Sequence, residues 1–380
     1  MRASLVLRVT VCIVIGLLSS MTSTRSVLGS GATIIPIEVA GQTGSRALGL
    51  NEAGAVSGSA YFPGQGVRAF RWIPSGAPNA MTGTIAPLGT LKNFSGYSGR
   101  GINAANEVTG DARPGSSAMP HALLWTAAGS ASLIGPSGAT YQTEGLAIND
   151  AGQCAVWDPR NSAGNQVALS MIVGGKRKLV GIGPGYPRDL NASGQVISYI
   201  GNASLDRYLW TPSAPNGSSG SFSYFPDDFY PWGLNDAAEI AGAQNYELVI
   251  GSQTYSPRRA VLSLPAAAHG LPAGVNLLPW PPPPTSGTWV SSFAFKVSNS
   301  GAVIGSAEAH DLTVAGPPYP LTVRTIWVWD PVNGTRDLTS LVAGTGWVLD
   351  EALDINSAGQ IVGNGRLNDV PHGFLLKLAP

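Results

Sequence analysis

At 380 residues the chain is long enough for one large closed fold or for two to three ordinary domains, and either would bury a sizeable core. Charged residues make up only 12%, about half the usual share, while 49 Gly and 29 Pro sit in a chain that is 44% hydrophobic. That composition speaks for many short strands joined by turns and against helices with charged outer faces, and the balance of 22 basic and 22 acidic residues argues against nucleic-acid binding, which needs many phosphates neutralised.

The chain opens with Arg2 and Arg8, then the apolar run Val9 to Leu18, then a polar stretch ending Val27-Leu28-Gly29. A basic start, a short apolar stretch and small residues at a cleavage point are the parts of a secretory signal, which is expected over residues 1–29. The run is well below the ~20 residues that span a bilayer, and no later segment is apolar enough to do so. The mature part, a single domain over residues 30–380, is therefore expected to be secreted or periplasmic, without a membrane span. Residues 1–29 hold three Arg and no acid, so its net charge is about −3. Cys12 leaves with the signal and Cys154 remains alone, so no internal disulfide forms.

Thr33 to Val39 reads as a strand that precedes the first of seven internal repeats. Each repeat carries the pattern apolar-Asn-x-x-Gly-x-apolar, first as Leu50-Asn51-Glu-Ala-Gly54-Ala-Val56, with aligned turn positions Asn51, Asn103, Asn149, Asn191, Asn235, Ser298 and Asn356. The pattern predicts a hairpin: Asn bonds its own backbone and Gly takes a positive φ. Asn106 is a fair substitute at the Gly position, whereas Ala238 fits it worse, so the fifth turn is expected to differ. The apolar residue after the turn starts a core-facing strand; Cys154 stands where other copies have Val or Ile and reads as a buried hydrophobe.

A second segment follows each turn, including Arg68-Ala-Phe-Arg-Trp72, His121-Ala-Leu-Leu-Trp125, Asp206-Arg-Tyr-Leu-Trp210 and Thr325-Ile-Trp-Val-Trp329, and many copies add a third, such as Ile85 to Leu91. Lys176-Arg177-Lys178, after Gly174-Gly175, reads as a solvated hairpin. With the strand before the turn, each repeat supplies four strands. The turn positions are spaced 52, 46, 42, 44, 63 and 58 residues apart, the arithmetic of propeller blades with loop insertions in the longer intervals. The expected fold is all-β, a β-propeller of seven blades of four antiparallel strands. The chain ends one strand short of a full last blade, so the N-terminal strand is expected to close the ring.

These motifs resemble the HAF-repeat family of bacterial extracellular repeat proteins over essentially all of residues 33 to 378, with Arg68 to Trp72, His121 to Trp125 and Pro87-Leu-Gly-Thr-Leu91 as the nearest copies. The resemblance implies export and a repeat fold, and it brings no catalytic residues. His stands at the family's His-Ala-Phe position only in the second and seventh repeats.

No nucleophile elbow, zinc signature, phosphate loop or Cys pair is present, and His121, His269, His310 and His372 lie far apart. The insertions break the repeat, and function on rigid scaffolds concentrates in such loops. One runs Phe222-Ser-Tyr224-Phe-Pro-Asp227-Asp228-Phe-Tyr230-Pro-Trp232; another holds Trp280, four prolines and Trp289; a third holds His310 and Pro317-Pro-Tyr319. Aromatics beside acids suit sugar recognition, which makes Tyr224, Asp227, Asp228, Tyr230, Trp232, Trp280 and Trp289 the candidate ligand residues. The alternative is that Phe225 and Phe229 pack under their loop and Trp232 faces the blade core. Asp227-Asp228 would be the place for calcium, but one acidic pair is too few ligands to assign an ion, and no cofactor is expected. The residues favour a non-catalytic binding or scaffold module for a polysaccharide or a surface protein. The alternative is a polysaccharide-active or other hydrolytic enzyme with acids gathered at the channel.

Overall fold

The computed structural model describes residues 27–28, 31–42, 44–115, 119–135, 142–159, 166–199, 207–314 and 319–379. The expected signal falls outside them up to residue 26, as do Asp206, Pro317 and Pro318. Among the described residues no helix is long and apolar enough to cross a membrane.

Seven four-stranded antiparallel sheets form a ring, as the repeat count predicts. In blade 1 the strands are Arg46–Leu50, Val56–Phe62, Gly66–Pro74 and Gly83–Pro87, in that order from the centre outward. Blade 7 takes Trp347–Ile355, Gln360–Leu367 and Val370–Leu378 from the end of the chain, and its fourth strand, Ala32–Ile37, from the beginning. The closure is the expected one. Val27–Leu28 adds a short fifth strand to that sheet. One turn of α-helix, Leu338–Leu341, is capped by Asp337.

The repeat motif has a physical account at each of its positions. The turn residue in the Gly place has positive φ in every blade: Gly54, Asn106, Gly152, Gly194, Ala238, Gly301 and Gly359. Ala238 keeps the same turn as the rest, with φ at 60° and its N–H donating to the Asn235 carbonyl, so the fifth turn does not differ; the cost of a left-handed alanine is borne in place. Gly58 and Gly110, which end the motif, lie where a Cβ would collide with the inner-strand carbonyls of Arg46 and Ser98. Trp72, Trp125, Trp210 and Trp329 of the third strands are buried between blades. Cys154 is fully buried in the core that blades 2 and 3 share, as a small hydrophobe would be.

Every innermost strand carries a bulge at the same place, between the positions four and two before the turn residue. The bulge residues are Leu48, Arg100, Leu146, Arg188, Trp232, Phe295 and Leu353. A bulge re-aims one side chain per strand. The residue that follows it is Gly or Ala in four blades and Asp189, Lys296 and Asp354 in the other three.

Candidate functional site

A channel of about 250 Å³ runs between the innermost strands, walled by Leu48, Arg100, Leu146, Arg188, Asp189, Lys296 and Asp354 among others. Three of its charged groups are held by one another or by backbone N–H groups. Lys296 Nζ lies 2.7 Å from Asp189 Oδ2, and that oxygen also accepts from the Leu234 N–H at 2.9 Å. Asp354 Oδ2 accepts from the Leu50 N–H at 2.9 Å, and its Oδ1 from the Ile355 N–H at 3.0 Å. Asp189 and Lys296 thereby tie blades 4, 5 and 6 together, and Asp354 ties blade 7 to blade 1. Burial at the channel wall pushes the Asp354 carboxyl up to about 6, against the pull of the Lys296 charge. The Lys296 ammonium is held above its ordinary value: burial opposes its charge, but Asp189 and Asp354 outweigh burial.

A second network lies on blades 2, 3 and 4. Arg100 Nε donates to Asp111 Oδ2 at 2.7 Å, Arg100 Nη2 lies 3.5 Å from Glu144, and the Tyr186 hydroxyl donates to Glu144 Oε2 at 2.6 Å. Burial raises the Asp111 carboxyl although Arg100 opposes it. Asp189 and Asp354 of the channel wall, and Asp111 and Glu144 beside it, are therefore each engaged by a cation, a phenol or a backbone N–H.

At the end of the channel opposite the Asn turns, blades 4 and 5 enclose a cavity of about 160 Å³ lined by Arg188, Tyr199, Arg207, Tyr230, Pro231, Trp232 and Arg258. The strands that carry them are Tyr186–Leu190, Val196–Tyr199 and Arg207–Pro212 of blade 4 and Phe229–Leu234 and Arg258–Leu264 of blade 5. This is the end where second strands connect to third strands through loops of unequal length, including the extra hairpin Leu248–Ile250 with Gln253–Tyr255.

The rings and cations of the cavity are stacked. The guanidinium carbons of Arg207 and Arg258 each lie 3.7 Å from the Tyr230 centroid, so the two must cover opposite faces of that ring. Arg188 lies 4.8 Å over Trp232 and 5.7 Å over Tyr199. Burial lowers the Arg188 guanidinium. Burial acts to raise the Tyr230 phenol, but hydrogen bonding from Arg258 and Asn245 and the charges of Arg258 and Arg207 bring it below its ordinary value. Among the described residues no Asp or Glu lines the cavity. Arg207 is 1% exposed; its Nη1 donates to the Asp227 carbonyl at 2.8 Å, while its Nε and Nη2 have no partner among the described residues, nor has Trp232 Nε1.

Of the seven residues flagged by sequence, the cavity brings together Tyr230 and Trp232, and Asp227 joins it through its backbone only. Asp227 is exposed, and Asp228 accepts from Gln244 Nε2 at 2.8 Å. Tyr224 is 61% exposed on the outermost strand of blade 4, next to Phe222. Trp280 and Trp289 pack against the core that blades 5 and 6 share; Arg259 covers Trp280 at 4.1 Å, and Trp289 Nε1 donates to the Pro282 carbonyl at 3.1 Å. Phe225 and Phe229 pack on each other, 4.9 Å between centroids, as the alternative reading has it, but Trp232 lines the cavity instead of the blade core because it is the bulge residue. Sequence inspection missed Arg188, Arg207 and Arg258. The one signal for Arg188 was its position three before Asn191, which is the bulge position in every repeat.

No known family's sequence profile matches the chain, and no curated protein does. Among solved structures it is similar to a streptogramin B lyase, with 10% identity over 93% of this chain and 100% of the other and a TM-score of 0.46. It is similar to a catalytically inactive variant of virginiamycin B lyase from Staphylococcus aureus with quinupristin, with 10% identity over 91% and 99% and a TM-score of 0.48. A polysaccharide lyase, Uly1, matches with 7% identity over 89% and 78% and a TM-score of 0.28. At this level of likeness neither substrate nor reaction carries over.

Proposed function

We propose that the chain is an exported, non-catalytic binding module of the HAF-repeat type, and that its ligand, a polysaccharide, engages the face opposite the Asn turns at the cavity of blades 4 and 5. One observation carries this reading: donor-bearing side chains from five strands of two blades converge on a cavity there, and Arg207, which lines it, has buried N–H groups with no partner among the described residues. A buried charge left short of hydrogen bonds is costly unless a ligand completes it. The channel acids support binding over hydrolysis, since a two-carboxylate mechanism needs one acid free to donate and one free to attack or activate water. Glu52, Asp150, Asp189, Asp236 and Asp354 of the channel wall, and Asp111 and Glu144 beside it, each accept a hydrogen bond.

The test is a thermal-shift screen of residues 30–380 against neutral and acidic polysaccharides, with product analysis of every hit. A ligand that binds only the folded state at a hundredfold excess over Kd adds about 2.7 kcal/mol of stability. A shift without product, lost in Tyr230→Ala, is the expected result. Cleaved product would move the assignment to a hydrolase, with Asp354 and Asp189 as the acids to substitute. Silence across the panel would remove the polysaccharide.

A further inference from the structure

We infer that the cavity between blades 4 and 5 takes one carboxylate group of an acidic saccharide, a deepening that rests on the binding reading above. Three arginines line the cavity and, among the described residues, no acid does, in a chain whose other channel cations, Arg100 and Lys296, each have a carboxylate within 3 Å. Three guanidiniums gathered without counter-charge repel one another, and an entering anion relieves that repulsion.

The unpartnered atoms of Arg207 specify the shape of the anion. Nη1 is engaged by the Asp227 carbonyl, and Nε–H and Nη2–H, the two donors on one edge of the planar guanidinium, are buried with no partner among the described residues. They point in parallel and match the two oxygens of a carboxylate. Trp232 and Tyr199 line the same wall, and Trp232 Nε1 is likewise buried with no partner among the described residues. An ionised carboxylate is acceptor-only, so a wall made of donors suits it and suits a neutral hydroxyl less well.

The aromatic rings have a different role here from the one their composition suggests. Both faces of Tyr230 are covered by Arg207 and Arg258, and Arg188 lies over Trp232. A sugar ring cannot stack where a guanidinium already does. The rings instead hold the guanidiniums flat and leave their edges for the ligand. At about 160 Å³ the cavity is smaller than the ~300 Å³ lower bound for drug-sized ligands, so it accepts one acidic unit while the rest of a chain lies outside it.

The experiment compares residues 30–380 binding to alginate, polygalacturonate and hyaluronate with binding to the same polymers after carboxyl reduction, and to dextran and dextran sulfate, by calorimetry at low and raised salt. At least one uronate polymer should bind, its reduced form should bind roughly tenfold or more weakly, and Arg258→Gln and Arg188→Gln should each cost a similar factor. Arg258 and Arg188 are half-buried, so these variants are expected to fold; unchanged circular dichroism checks this, and Arg258→Lys should recover part of the loss. Equal binding of a uronate polymer and its reduced form overturns the carboxylate and leaves the binding module standing, and so does binding of dextran alone. Preference for dextran sulfate overturns the carboxylate in favour of a sulfate. Binding to no polymer removes both this inference and the reading beneath it.

Discussion

The side-chain amide of Asn356, in the last repeat, donates to the backbone carbonyl of Asn51, in the first, at 3.1 Å across 305 positions of sequence. The same bond recurs around the ring: Asn51 to the Asn103 carbonyl, Asn103 to Asn149, Asn149 to Asn191, Asn191 to Asn235, and Asn235 to Ser298, all between 2.9 and 3.2 Å. The turn asparagines thus form a belt that joins each blade to the next, in addition to shaping each turn. In five repeats the second amide hydrogen goes to a Glu or Gln four residues on: Glu107, Gln153, Gln195, Glu239 and Gln360.

Ser298 is too short to reach across, so the Asn356 carbonyl is the one belt acceptor with no asparagine donor. Ser298→Asn should close the belt and raise stability by about 1 kcal/mol, the net value of one hydrogen bond. Asn51→Ala, which strips an acceptor from the Ala53 and Ala55 N–H groups as well as a donor from Asn103, should cost about 2–3 kcal/mol. Urea unfolding of both variants checks this. A destabilised Ser298→Asn would mean that the bond between Ser298 and Ser300, 2.9 Å between hydroxyls, matters more than the missing link.

Ala238 is the only alanine among the turn residues of positive φ. Ala238→Gly should stabilise by about 1 kcal/mol, because a Cβ in the left-handed region costs about that much and glycine escapes it. Glycine also gives the unfolded chain more freedom, which offsets part of the gain. Calorimetric melting that falls instead of rising would show that the Cβ of Ala238, which packs against the blade 4 and 5 core, outweighs the strain.

The propeller was legible because a turn with a fixed residue need, Asn then a positive φ, recurs seven times. The cavity was only partly legible. Aromatic density pointed to Tyr230 and Trp232, and the same signal pointed to Trp280 and Trp289, which serve packing. Density of rings along the chain does not say which way each ring faces; the inner-strand bulge does, and it leaves no residue signature. Arg188, Arg207 and Arg258 sit in three strands of ordinary composition and become a cluster only when blades 4 and 5 lie side by side.

Cys154 should be inert in the native protein. Burial pushes its thiol up to about 11, and no edge of the side chain reaches solvent. Thiolate is the reacting form, so at neutral pH Ellman's reagent should find no thiol in folded residues 30–380 and one after denaturation. Cys154→Val, which restores the residue type of the other repeats, should leave stability within about 1 kcal/mol. Rapid labelling of the native protein would mean that the blade 2 and 3 interface opens far more readily than its packing implies.

The Asp354 carboxyl gives the fold a pH dependence whose sign follows from its environment. An unfolded aspartate titrates near 4, whereas in the folded channel Asp354 is pushed up to about 6. Between these values the folded state binds the proton and the unfolded state does not, so this residue's contribution to stability falls as pH rises from about 4 to 6 and is constant beyond either limit. Asp354→Asn mimics the protonated carboxyl, keeps an acceptor for the Leu50 N–H, and leaves Lys296 its bond to Asp189. Its urea midpoint should therefore change less than the parent's over that range and should exceed the parent's most clearly above pH 6. Parallel profiles for the two proteins would show that the Lys296 charge holds Asp354 ionised throughout, and that the channel triad is a permanent ion cluster with no titrating member.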